Sequence, residues 1–175
     1  MANKLKSLPD IIPSRNCRIL FIGTNPGLKS VTVGHYFPGG SNVFWKLLYK
    51  SGLTKRLLKP EQDKQLAYYG YGLTDIVKIP TKSQSDIREK YTFYHALKLH
   101  RRLNMHRPKI AAFIGKKGFQ IFIQDKKAKL HYGFQFRYNR HTRIFLLPST
   151  SGQSYRDTRL DEKLKWFLDL KRKMR

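Results

Sequence analysis

The chain has 175 residues, 40% of them hydrophobic, which is enough for one compact domain with a real core and too few to divide comfortably into two. Lys and Arg number 36 against 11 Asp and Glu, and a formal charge of +25 calls for a polyanionic partner, with nucleic acid as the default. No run approaches the roughly 20 apolar residues of a membrane span, and a single cysteine, Cys17, rules out an internal disulfide or a cysteine-based zinc or iron-sulfur site.

In chain order, residues 1–14 read as a flexible tail without the apolar core of a secretory signal, so the chain is expected to stay inside the cell. Residues 17–23 form a short apolar run ending at Gly23, and Gly23-Thr24-Asn25-Pro26-Gly27 follows as a tight turn. The loop Gly34-His35-Tyr36-Phe37-Pro38-Gly39 carries three consecutive aromatic rings, which are costly in a loop unless the core or a ligand covers them. Ser41 can cap a helix carrying Phe44, Trp45, Leu47, Leu48 and Tyr49, and residues 60–69 form a second helix.

A weaker apolar run spans 72–77, a third helix 86–104, another strand 109–115 and a short helix 116–123. Residues 142–147 give the last strand, followed by the small polar loop Leu147-Pro148-Ser149-Thr150-Ser151-Gly152-Gln153-Ser154. From near Asp157 a closing amphipathic helix sets Leu160, Leu164, Phe167 and Leu168 on one face, with Lys163, Lys165 and 171–173 turned elsewhere. Residues 172–175 read as a second tail.

Continuous rather than alternating hydrophobicity marks strands covered on both faces. Strands alternating with helices then predict an α/β fold, a three-layer sandwich around a central, mainly parallel sheet of four to five strands. Ligands in such folds bind at the carboxyl ends of the strands, where the loops at 23–27 and 147–154 fall. Basic clusters at 100–102 with Arg107 and Lys109, at 126–129 and at 171–175 each read singly as wet surface, but their sum favours a phosphate backbone. Lys29 and Lys116 lie nearer the strand ends, where that backbone would run.

Asn25 has no acid or base chemistry of its own, so a catalytic role would consist of positioning a water or substrate. The aromatic loop reads either as a hydrophobic plug or as a stacking platform for a planar base. The loop at 149–154 reads either as a flexible turn or as a place where backbone approaches phosphate. Asp75 reads as a helix cap in preference to a carboxylate that approaches the water, and Thr74 as a residue supporting the site from behind.

Five segments in order resemble the mismatch-specific uracil/thymine DNA glycosylases, the Mug/TDG branch of the uracil-DNA glycosylase superfamily, over about residues 17–170. They are Gly23-Thr24-Asn25-Pro26-Gly27-Leu28, then Gly34-His35-Tyr36-Phe37-Pro38-Gly39 with Asn42-Val43-Phe44-Trp45-Lys46 and Ser51-Gly52-Leu53, then Gly72-Leu73-Thr74, Ile110-Ala111-Ala112-Phe113 with Gly115-Lys116, and Pro148-Ser149-Thr150-Ser151. The resemblance implies that Asn25 holds the water attacking the sugar carbon and that Phe37 stacks on the extruded base, with Gly23, Thr24 and Tyr36 around it. It also implies that Gly152, Gln153 and Ser154 enter the duplex, where relatives often carry Leu or Arg, and Thr24 stands where they carry an aliphatic residue. The expectation is a monofunctional glycosylase acting as a monomer on G:U or G:T mismatches in double-stranded DNA, with no metal, no cofactor, no membrane and no lyase lysine. Its place would be the cytoplasm or nucleoid of a bacterium, or the nucleus of a eukaryote. The rival is a non-catalytic basic protein holding nucleic acid on the same fold. A nucleotide hydrolase is disfavoured because G-x-x-x-x-G-K-[ST] is absent.

Overall fold

The computed structural model describes residues 7–88, 92–152 and 159–174. Five strands, β1 (Ile19–Gly23), β2 (Tyr71–Asp75), β3 (Ile110–Ile114), β4 (Gly133–Arg137) and β5 (Arg143–Leu147), form one sheet in the order β2-β1-β3-β5-β4. β1, β2, β3 and β5 run parallel, and β4 joins the β5 edge antiparallel. The helices are α1 (Leu28–Val33), α2 (Phe44–Lys50), α3 (Thr92–His106), α4 (Lys116–Ile123) and α5 (Leu160–Arg172), with 3-10 segments at Pro60–Tyr69 and Gln84–Asp86.

Side chains alternate across each strand, so one apolar run feeds two cores. Ile19 and Phe21 of β1 face α2 and α5 in company with Phe145 and Leu147, while Leu20 and Ile22 face α3 and α4 with Phe113 and Leu146. Both faces of the sheet are covered, giving the three-layer α/β sandwich expected from the sequence.

The local differences have physical causes. β4 escaped the sequence reading because only one face of this edge strand is covered, leaving Phe134 and Phe136 partly exposed. The N-cap position of α2 is Val43 and not Ser41, and Asn42 just before it accepts the Phe44 N–H on Oδ1 at 3.0 Å. α3 begins at Thr92 instead of 86. α5 is rotated relative to the expected stripe: Lys163, Phe167 and Leu170 face inward and Leu168 is partly exposed. The long aliphatic stem of a lysine can line an apolar core in this way.

Residues 8–11, read as part of a free tail, are docked. Leu8 is buried, Pro9 O accepts from the Tyr36 hydroxyl at 3.1 Å, and Ile11 exchanges backbone hydrogen bonds with Leu73. At the other end Met174 packs on the core.

Candidate active site

The carboxyl ends of the parallel strands open into a cleft of about 590 Å³. The Gly23–Gly27 turn, the aromatic loop and the Ser149–Ser151 loop all border it, so three segments distant in sequence meet where the strand order predicts. Leu8, Asp75 and residues 81–84 complete the wall. That last segment, including Lys82, carried no sequence signal, since it is an irregular connection whose path only the folded chain defines.

Asn25 stands half-buried on this wall with its amide orientation fixed by its neighbours. Nδ2 donates to Thr81 Oγ1 at 2.7 Å and lies 3.3 Å from the carbonyls of Pro26 and Ile79. Thr81 passes its own hydroxyl proton to Ser83 O at 2.6 Å, so toward Asn25 it can only accept. A flipped amide would set Oδ1 against three acceptors. Nδ2 is therefore engaged, and Oδ1 is left as an acceptor.

The aromatic loop is held from below by a residue the sequence reading did not single out. Asp63, buried in the first 3-10 segment, accepts from the Tyr36 N–H at 3.1 Å and faces His35 Nδ1 at 3.3 Å. Tyr36 itself is buried. Its hydroxyl is committed to Pro9 O and to the Lys78 ammonium, so it forms a wall of the cleft in place of a free stacking ring. Phe37 takes the opposite course. Its φ of 50° lies in the left-handed region that a bulky side chain adopts at a cost of about 1–3 kcal/mol. The ring rests on Phe44 with centroids 4.2 Å apart and borders the cleft. A ring backed by the core is a rigid platform.

Asp75 ends β2 in register with Gly23 of β1. The favoured cap reading is overturned, because the chain after Asp75 continues as bends and turns and no helix starts there. Asp75 is 3% exposed and lines the cleft, and its Oδ2 has no hydrogen-bond partner among the described residues. Burial pushes this carboxyl up to about 7, and Asp10 adds to that, while Lys78 and Arg102 pull the other way without prevailing.

The Asp75 carboxylate also explains Gly23. A Cβ at position 23 would fall inside contact distance of Asp75 Oδ1. Gly23→Ala is therefore expected to displace the carboxylate and destabilise the fold by about 1–3 kcal/mol, the usual cost of overpacking. Denaturant melts together with a shifted pH profile of activity would check both effects.

The other expected residues divide. Thr24 borders the cleft, but its buried hydroxyl is turned toward Gly118 of α4 and has no partner among the described residues. Lys29, Ser149, Thr150 and Ser151 line the cleft, and Thr150 O accepts from Val43 N–H at 3.0 Å, tying the last loop to the aromatic one. Gly152 packs against Ser41. Gln153 and Ser154 lie outside the described residues. Lys116 is absent from the cleft wall and sets its ammonium 5.3 Å above the Tyr132 ring. Thr74 sits behind the site, where its hydroxyl bonds Asp10 at 2.5 Å and Arg102 at 2.7 Å.

In comparison with known families, residues 9–171 match the family model described as the Uracil DNA glycosylase superfamily.

Proposed function

The chain belongs to the uracil DNA glycosylase superfamily, and from that premise we propose that it excises uracil mispaired with guanine from double-stranded DNA, in the manner of the mismatch-specific branch. The observation that carries the reading is the Asn25 amide, locked by Thr81 with Oδ1 left to accept, in a cleft that falls within the ~300–1,000 Å³ range of ligand sites.

In this reading a flipped pyrimidine enters between the Gly23–Gly27 turn and the Phe37 ring. Extrusion costs a few kcal/mol and costs less for a mispaired base, so weak pairing itself favours G:U and G:T over normal pairs. The C1′–N1 bond breaks with its electron pair going to the base, and positive charge grows on the sugar. Asn25 Oδ1 accepts a hydrogen bond from the water that adds to C1′. The water's proton passes to the Asp75 carboxylate, the one ionisable group on the cleft wall whose affinity for protons is raised toward neutrality. Lys29 and Lys82 border the mouth of the cleft, where they face the phosphates, and Ser149–Ser151 approach the duplex.

Labelled duplexes carrying G:U, G:T, A:U or normal pairs, and single-stranded uracil, test the reading when treated with alkali after incubation. G:U is expected to be cleaved fastest. Equal rates on A:U and G:U would remove mismatch selectivity while leaving glycosylase chemistry. Base release from none of them would favour the silent nucleic-acid binder. No borohydride-trapped adduct is expected, because the proposed nucleophile is water and no lysine attacks the sugar. Phe37→Ala removes a stacking surface worth ~1–3 kcal/mol per base and is expected to lower kcat/KM on G:U by about 5- to 150-fold.

A further inference from the structure

Parallel strands that deliver their carboxyl ends to the cleft gather their starting ends at the opposite pole. Cys17 leads into β1, Lys109 precedes β3 and Arg143 opens β5, while β4 ends there at Arg137. Around them lies a hollow of about 540 Å³ bordered by five cations, Arg107, Lys109, Arg137, Arg140 and Arg143, with two imidazoles, and no carboxylate among the described residues lines it. Among the described residues none of the five makes an ion pair. The hydrogen bonds from their side chains go to neutral acceptors: Arg137 to Arg140 O, Arg140 to His141 Nε2, and Arg143 to Lys173 O.

The framework under these cations is fixed. Lys109 N–H donates to Cys17 O and Arg143 N–H to Lys109 O, each at 3.0 Å, and the buried Thr142 hydroxyl donates to Pro108 O at 2.7 Å. Asn139 Oδ1 accepts from the N–H groups of His141 and Thr142, both at 2.8 Å, which sets the β4–β5 turn. Asn16 and Arg107, with φ of 52° and 44°, are two of the four non-glycine residues in the left-handed region among the described residues, and both border this hollow. Like charges held together on a stiff frame repel one another, and that repulsion falls when an external anion supplies the missing counter-charge. Guanidinium forks suit phosphodiester oxygens in particular.

We propose that this pole is a second nucleic-acid site, which holds the phosphate backbone of a duplex segment other than the one presented to the cleft. The two sites stand at opposite ends of strands whose rise alone spans roughly 15 Å, and a duplex is stiff over about 150 base pairs, so one short duplex cannot reach both. Holding a second segment lets the protein pass from one stretch of DNA to another without release into solution. The cleft's DNA partner rests on the superfamily membership, but the second site can be tested without any excision.

The test tethers a short duplex to beads, saturates it with the full chain, and measures capture of a second, fluorescent duplex that lacks uracil. Wild type is expected to capture it, and Arg137→Glu/Arg140→Glu to lower capture by about 10-fold or more, with excision from a short G:U duplex unchanged. Lys127→Glu/Lys129→Glu makes the same change in charge on exposed residues outside the hollow and is expected to retain capture. An equal fall in this control would assign the effect to bulk charge and overturn the proposal. So would unaltered capture by the Arg pair, or a matching loss of excision in the short duplex. Loss of inorganic polyphosphate binding with capture intact would make the occupant a free anion and equally defeat it. Thermal melts confirm that each variant is folded. Absence of excision by wild type would defeat the proposed function while leaving the capture result readable.

Discussion

Replacing Asn25 with alanine is expected to slow uracil excision by about 10²–10³-fold while leaving duplex affinity intact, the scale seen when one preorganised hydrogen-bonding group is removed from a transition state. The amide is not needed by the fold in the way a core residue is. It is half-exposed, and among the described residues its side-chain hydrogen bonds run to Thr81 and to the carbonyls of Pro26 and Ile79. What alanine loses is Oδ1 and the geometry that aims it. Thr81→Val separates these two losses. It keeps Asn25 but removes the hydroxyl that holds Nδ2, so the amide can turn and excision is expected to fall by about 10-fold, less than for alanine but in the same step. Single-turnover rates on G:U duplexes, with affinity measured on a duplex bearing a non-cleavable sugar, read the two quantities apart. Asn25→Ala excising within 3-fold of wild type would place the chemistry elsewhere, and a parallel loss of affinity would make Asn25 a binding residue.

The sequence made Asn25 visible because the Gly23–Gly27 turn ends an apolar run, and the carboxyl end of a buried strand is where an α/β fold binds ligands. The two cores were legible for the same reason. Within the runs at 17–23 and 109–115, the stretches Ile19–Gly23 and Ile110–Ile114 carry no polar side chain, which only a strand covered on both faces requires. β4 was not legible, because an edge strand with one open face lacks that run. Neither was the Thr81 anchor: it meets Asn25 across 56 residues of chain, through an irregular segment with no periodicity to read. Asp63 was hidden within a polar helix-like stretch, although its buried carboxylate, which meets the Tyr36 N–H and the His35 ring, governs where the aromatic loop sits. Lys163 and Leu168 exchanged places because the buried face is turned by somewhat less than a quarter turn, which keeps Phe167 inward but moves the residues at the two margins of the stripe across its boundary.

Asp75 shows most clearly how a local reading is decided by tertiary surroundings. Beside Thr74 at a strand end it resembles a cap, yet the chain turns away without a helix and leaves the carboxyl under Gly23, out of water and facing the cleft. Burial, the largest influence, lifts it from the usual carboxylate range to about 7. If this group takes the proton from water, it must be ionised to act. The wild-type single-turnover rate should then rise with pH below about 7 and level off above it. Asp75→Asn is expected to lower the plateau by about 10²–10⁴-fold and to flatten the profile.

The same group makes a separate prediction for stability. Between its unfolded value of 3.8 and its folded value of about 7, the native state holds a proton that the unfolded chain has released, so stability falls as pH rises through that window. The loss from this group is on the order of 4 kcal/mol between the two limits and is complete once pH exceeds the folded value. Asp10 works in the opposite sense. Burial raises it, but Lys78, Thr74 and Arg102 together hold it below the ordinary carboxylate range, so its contribution is lost as pH falls below the unfolded value. Comparing wild type with Asp75→Asn in denaturant at pH 5 and pH 8 cancels Asp10 and isolates Asp75. The variant should lose most of the wild-type decline in stability between those pH values while losing excision, a combination that damage to the fold would not produce. A variant with a wild-type rate and an unchanged pH slope would remove Asp75 from the reaction and leave Asn25 to position the water alone.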